Sequence, residues 1–149
     1  MRRGIGECYL AKLRSFYISH TQLRSATIPM SYDLTFWMQK STVPQAPSHI
    51  YGELLEGRAV EGLETIQTAE FTKLIHQRFP GIVTDGGLTY WEGGERGMFE
   101  LYTSHQHVHL VCRQMSGDDM NTLIEIASAF DCPLYDPQVD TRFDSHVAP

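Results

Sequence analysis

Between Leu88 and Arg113, three runs of alternating apolar and polar residues, Leu88–Glu92, Met98–Thr103 and His107–Arg113, are separated only by the short breaks 93–97 and 104–106. A parallel pair of strands needs a crossover of about a dozen residues or more, whereas breaks this short join neighbours as antiparallel hairpins. The three runs therefore predict a meander, and everything else in the chain must pack around an antiparallel sheet.

The flanking segments supply the rest. Tyr32, Leu34, Phe36 and Met38 alternate with Asp33, Thr35 and Trp37, the period-2 pattern of a half-buried strand. Pro44 and Pro47 then mark a loop, because proline lacks the donor that strands and helices require. A short helix is expected after it, capped by Ser48, with Ile50, Tyr51, Leu54 and Leu55 on one face and Gly57 as the stop. The segment 68–79 carries Phe71, Leu74, Ile75 and Phe79 at helical spacing and ends at Pro80-Gly81. Ser116 caps a further predicted helix that runs to about Phe130, with Asp118 and Asp119 at its positive end and Met120, Leu123, Ile124 and Ala127 as its buried stripe. A last strand is expected over 132–135, stopped by Asp136-Pro137, with a polar tail after Phe143. The expected fold is α+β: a mainly antiparallel sheet of four or five strands, with two or three helices on one face. This is a two-layer sandwich distantly like the ferredoxin arrangement.

Charge divides the 149 residues unequally. Residues 1–29 hold five Arg/Lys and one acid, net +4, while 30–149 hold seven Arg/Lys and seventeen Asp/Glu, net −10. The second stretch is long enough to bury a core as a single domain. For the basic leader three readings stand side by side: translation from Met30 with a mis-assigned upstream start, a disordered or targeting segment, and an ordered extra element. The acidic body would repel nucleic-acid phosphates, so direct nucleic-acid binding is not expected. It also lacks the run of about 18 or more apolar residues that a spanning helix needs. Cys8, Cys112 and Cys132 form an odd count with no C-x-x-C pair and no zinc-type spacing, which points to a reducing, cytoplasmic setting; Cys112 and Cys132 read as buried structural thiols, with a disulfide between them as the alternative.

No sequence pattern of a nucleophile elbow, P-loop, dinucleotide turn or H-E-x-x-H metal helix occurs, and no catalytic residue, metal ligand or cofactor is assigned. His105, His107 and His109 have strand spacing, but side chains about 6.5 Å apart along one strand converge poorly on an ion. The candidate site comes from alternation. If Leu34/Phe36, Leu88/Tyr90, Phe99/Leu101 and Val108/Leu110/Cys112 face the helices, the reverse of the sheet carries Trp37, Trp91, Tyr102, His107, His109 and Arg113. With Tyr135, these aromatic and imidazole side chains form the expected partner-binding set, since such groups bury much area yet keep a hydrogen-bonding handle.

Met30-Ser31-Tyr32-Asp33-Leu34 through Phe36-Trp37, Ile50-Tyr51 to Gly57, Phe79-Pro80-Gly81 and Leu134-Tyr135-Asp136-Pro137-Gln138 resemble a group of small uncharacterised bacterial proteins. In size and charge the chain is also similar to immunity proteins that neutralise bacterial toxins. That resemblance implies a bacterial cytosolic setting and transfers no catalytic residue. The leading expectation is a non-enzymatic interaction protein that holds a basic protein partner. The alternatives are a small hydrolase using His107 or His109 as base beside Asp136 or a glutamate, and a small-molecule sensing module.

Overall fold

A computed structural model of the chain describes residues 31–39 and 43–143. The leader 1–29, Cys8 and the tail from 144 lie outside the described residues. The chain forms β1 (Ser31–Trp37), α1 (Pro47–Leu55), α2 (Thr68–Arg78), β2 (Val83–Asp85), β3 (Leu88–Glu92), a 3-10 turn (Gly94–Arg96), β4 (Met98–Thr103), β5 (His107–Arg113), α3 (Gly117–Ala129), β6 (Leu134–Asp136) and β7 (Thr141–Arg142). The strands make one sheet in the order β2-β3-β4-β5-β1-β6-β7, antiparallel at every junction.

The meander β3-β4-β5 is present with the expected bounds, and β1 is inserted between β5 and β6. The run β1-α2-β4-β5-α3-β6, with spatial order β6-β1-β5-β4, is the split β-α-β arrangement of ferredoxin-like folds. The sheet is nevertheless larger than expected, with seven strands among the described residues in place of four or five. The additions are β2 and β7. Both are edge strands of two or three residues, paired through tight turns and too short to imprint an alternation on the sequence.

Local chemistry explains the helix ends. Ser116 Oγ accepts from the Asp119 amide at 3.1 Å, the expected cap of α3, with two acids in the first turn. In α1 the expected capping by Ser48 is replaced: Pro47 opens the helix at the position where its missing donor costs nothing, and no side chain caps it. Gly57, at φ +76°, follows that helix as the expected stop.

The core has two parts, one on each side of the sheet. The larger lies between the sheet and α2 and α3, where Leu34, Phe36, Phe99, Leu110 and Leu134 meet Phe71, Ile75, Leu123 and Ala127. The smaller lies on the reverse face, where Trp37 and Tyr135 are covered by Ile50 and Leu54 of α1 and by Val60. The expectation that all helices share one face is thus corrected: α1 packs on the other. Its apolar stripe of Ile50 and Leu54 needed a cover of its own, and α2 and α3 already fill the first face. Segment 60–68 then wraps round the end of the sheet. It is pinned by the Gln106 side chain, which accepts from the Val60 amide at 2.8 Å and donates to the Val60 carbonyl at 3.0 Å. Ile66 N–H donates to His105 O at 2.9 Å, and Thr68 Oγ1 donates to Ser104 O at 2.7 Å.

Candidate functional site

Strand register fixes which side chains stand together on the α1 face, because directly opposed residues share a face. One row runs Val83, Tyr90, Glu100, Val111, Asp33 across five strands. The next runs Tyr102, His109, Thr35, Tyr135, Arg142. A third, on the other side of the first, aligns Glu92, Met98, Arg113 and Ser31. The α1 helix covers only the part of this face around Trp37 and Tyr135. Over β2, β3 and β4 the face is open among the described residues, with Val83 and Tyr102 45% and 43% exposed and Tyr90, Glu100 and Val111 half-buried.

The boundary between covered and open parts carries the most organised chemistry. Tyr51 reaches from α1 to donate to Asp33 Oδ2 at 3.1 Å. Two strands away, Tyr102 donates to Glu100 Oε2 at 2.8 Å. His109 lies between these pairs, with its ring centroid 6.1 Å from Tyr51 and 5.9 Å from Tyr102. Its Nδ1 is 2.7 Å from Thr35 Oγ1, and its Nε2 makes no hydrogen bond among the described residues. Side chains stand roughly perpendicular to a sheet, so this distal nitrogen points off the face. Val111 lies beside His109 on the same strand and between Glu100 and Asp33 in the row. Register and these bonds thus set His109 and Val111 side by side between two tyrosine–carboxylate pairs, Tyr51–Asp33 and Tyr102–Glu100, a strip called the trough below.

Burial holds His109 in its neutral form, lowering its pKa against the opposing pull of Asp33. Burial likewise takes His107 down to about 4, helped by its histidine neighbours, and its Nδ1 is 2.6 Å from Ser104 Oγ. The Tyr51 hydroxyl is pushed up by burial and then by Asp33, and the Tyr102 hydroxyl by its bond to Glu100 and then by burial. Both tyrosines are thus fixed as donors to their carboxylates. Arg113 Nη1 is 3.3 Å from Glu100 Oε1, and Asp33 has no cationic partner among the described residues.

The structure separates the expected partner-binding residues. Tyr102 is exposed. Trp37 is fully buried, its ring tilted against that of Tyr135 at 5.3 Å and capped by Arg142, and Tyr135 itself is buried and donates to Asp140. His107 and His109 lie on the expected face but are 6% and 4% exposed. Trp91 lies on the opposite face from that expected. It pairs with Phe99, packs against Phe79 at 5.0 Å, and donates from Nε1 to Pro80 O. The assumed register of β3 was off by one, so Leu88 and Tyr90 turn to the α1 face in its place. A bare ring-covered sheet face is therefore corrected to a partly covered one, because α1 and Val60 seal its tryptophan.

Sequence reasoning missed Asp33, Tyr51, Tyr90 and Glu100. Asp33 was visible as the polar partner in the alternation of β1, but the docking of Tyr51 against it depends on where α1 packs. Asp136, proposed as an acid beside a histidine base, shares a face with Leu134 by strand alternation, across the sheet from His109. Cys112 and Cys132 are free and buried, with thiols pushed up by burial, that of Cys132 to about 12. Among the described residues no group of three or more metal-ligating side chains converges, and no helix is long and apolar enough to cross a membrane. No family model, curated protein or solved structure matches the chain.

Proposed function

We propose that the protein is a non-enzymatic, cytoplasmic interaction protein that holds a basic protein partner on the open part of the α1 face. A toxin neutralised by its immunity protein is one pair of this kind. The observation that carries the reading is composition at a defined place: Tyr90, Tyr102, Val83 and Val111 stand among Asp33, Glu92 and Glu100, with Arg113 and Arg142 as the two arginines of the three rows. Tyrosine supplies contact area at small entropic cost, and the excess of carboxylates selects a basic surface and speeds encounter with it. A second copy of this chain would set acid against acid, which disfavours self-association through this face.

The test uses the full chain as bait in its native host, beside a Glu92→Lys/Glu100→Lys double variant. The expected result is a stoichiometric basic protein retained by the wild type, lost by the double variant, and weakened as salt rises from about 0.05 to about 0.5 M. Retention of the same proteins by both baits, or recovery only of acidic proteins, would overturn the reading.

A further inference from the structure

The trough at the edge of α1 is more specific than the surface around it. Its carboxylates lie two strands apart, about 10 Å between backbones, with one apolar side chain and one neutral imidazole between them. Each acid gives one oxygen to a tyrosine, Oδ2 of Asp33 to Tyr51 and Oε2 of Glu100 to Tyr102. The tyrosines hold the acids in place and present ring surface inward, against His109. Oδ1 of Asp33 and Nε2 of His109 accept nothing among the described residues. Two fixed anions, two rings and an imidazole whose Nε2 accepts when Nδ1 donates its proton to Thr35 Oγ1 suit a cation that is flat and carries several donors. A guanidinium meets that description better than an ammonium, since it stacks on aromatic faces and donates in a fork. Within the folded chain Glu100 already takes one guanidinium, that of Arg113, on its outer side.

We propose that the trough is a socket for one arginine side chain of the partner, seated over Val111 and His109 between the Asp33–Tyr51 and Glu100–Tyr102 pairs. The assignment rests on the basic-partner reading and names its anchor. It commits the ligand to a protein side chain, because the trough borders the row of half-buried Glu100 and Tyr90 and exposed Val83 that the rest of a partner surface would cover.

The test titrates the full chain with N-acetyl-arginine amide, N-acetyl-lysine amide and the uncharged N-acetyl-citrulline amide, following the aromatic carbon signals of His109, Tyr51 and Tyr102 by NMR. The arginine compound should shift all three signals saturably, the lysine compound more weakly, and the citrulline compound not at all. Asp33→Asn should weaken arginine binding about tenfold or more, the expected loss of one charge-assisted contact, and Tyr102→Ala about threefold. Val111→Arg, which fills the socket from its own floor, should abolish binding. Since Tyr102 is exposed, its variant remains a test if either of the others fails to fold, as checked by thermal melting. Equal shifts with citrulline, equal affinity for lysine, or unchanged binding by the folded variants would overturn the socket. Loss of the native partner on Glu92→Lys alone, which lies outside the trough, with no arginine response would sink the socket and leave the basic-partner reading standing. An arginine response without any charge-dependent partner would do the reverse.

Discussion

Gly97 shows how much can depend on a missing side chain. It sits at φ +90° where the 3-10 turn enters β4, and a Cβ there would lie 2.5 Å from the Arg113 carbonyl oxygen and 2.6 Å from Gln114 backbone atoms. Neither the conformation nor the contact tolerates alanine, because the obstruction is backbone of β5 itself. Gly97→Ala is expected to cost about 2 kcal/mol or more, read as a lowered urea midpoint at unchanged slope. His107 gives a second residue-scale expectation, from its pKa of about 4 in the fold. An unfolded histidine takes up its proton near the ordinary value of about 6.5. The unfolded state therefore binds the proton first, and stability present above that pH is lost as pH falls toward 4, with His109 acting in the same direction. The slope contributed by His107 should approach about 1.4 kcal/mol per pH unit within that window. His107→Gln, measured by denaturant melts at pH 7, 6 and 5, should flatten the dependence; an unchanged slope would contradict the assignment.

At the scale of elements, α1 decides what the reverse face of the sheet can do. It covers Trp37 and Tyr135 with two buried side chains, Ile50 and Leu54, and sets Tyr51 against Asp33. Leu54→Ala should cost about 2–4 kcal/mol. Because the smaller cluster holds only a handful of residues, the loss should appear first as faster amide exchange in α1, with β4 and β5 still protected. Uniform loss of protection across the sheet would mean that the two clusters form one cooperative core. Helix limits were legible here wherever a local signal set them. Ser116 caps α3 through its own hydroxyl, and Pro80-Gly81 follows α2. The register of β3 was not legible, since Leu88, Tyr90 and Trp91 are all large enough to be core. Only pairing with Phe99 decides that Trp91 is the one turned inward.

For the molecule as a whole, the open face combines tyrosines and carboxylates on a rigid sheet whose other side is sealed by α2 and α3. A ferredoxin-like core leaves that reverse face free, and among the described residues α1 covers one part of it and leaves the other open. What the amino-acid order determined by itself is local: the hairpins of β3-β4-β5, the caps and stops of the helices, the antiparallel sheet and the acidic charge of the body. Each follows from chemistry acting over a few residues, or from composition alone. Which tryptophan is interior, which face α1 covers and which tyrosine meets which carboxylate were decided only by tertiary packing. Asp33 and Tyr51 lie 18 residues apart and Thr35 and His109 74 apart, so no periodicity along the chain records these pairings. They arise when separate apolar surfaces compete for the same cover.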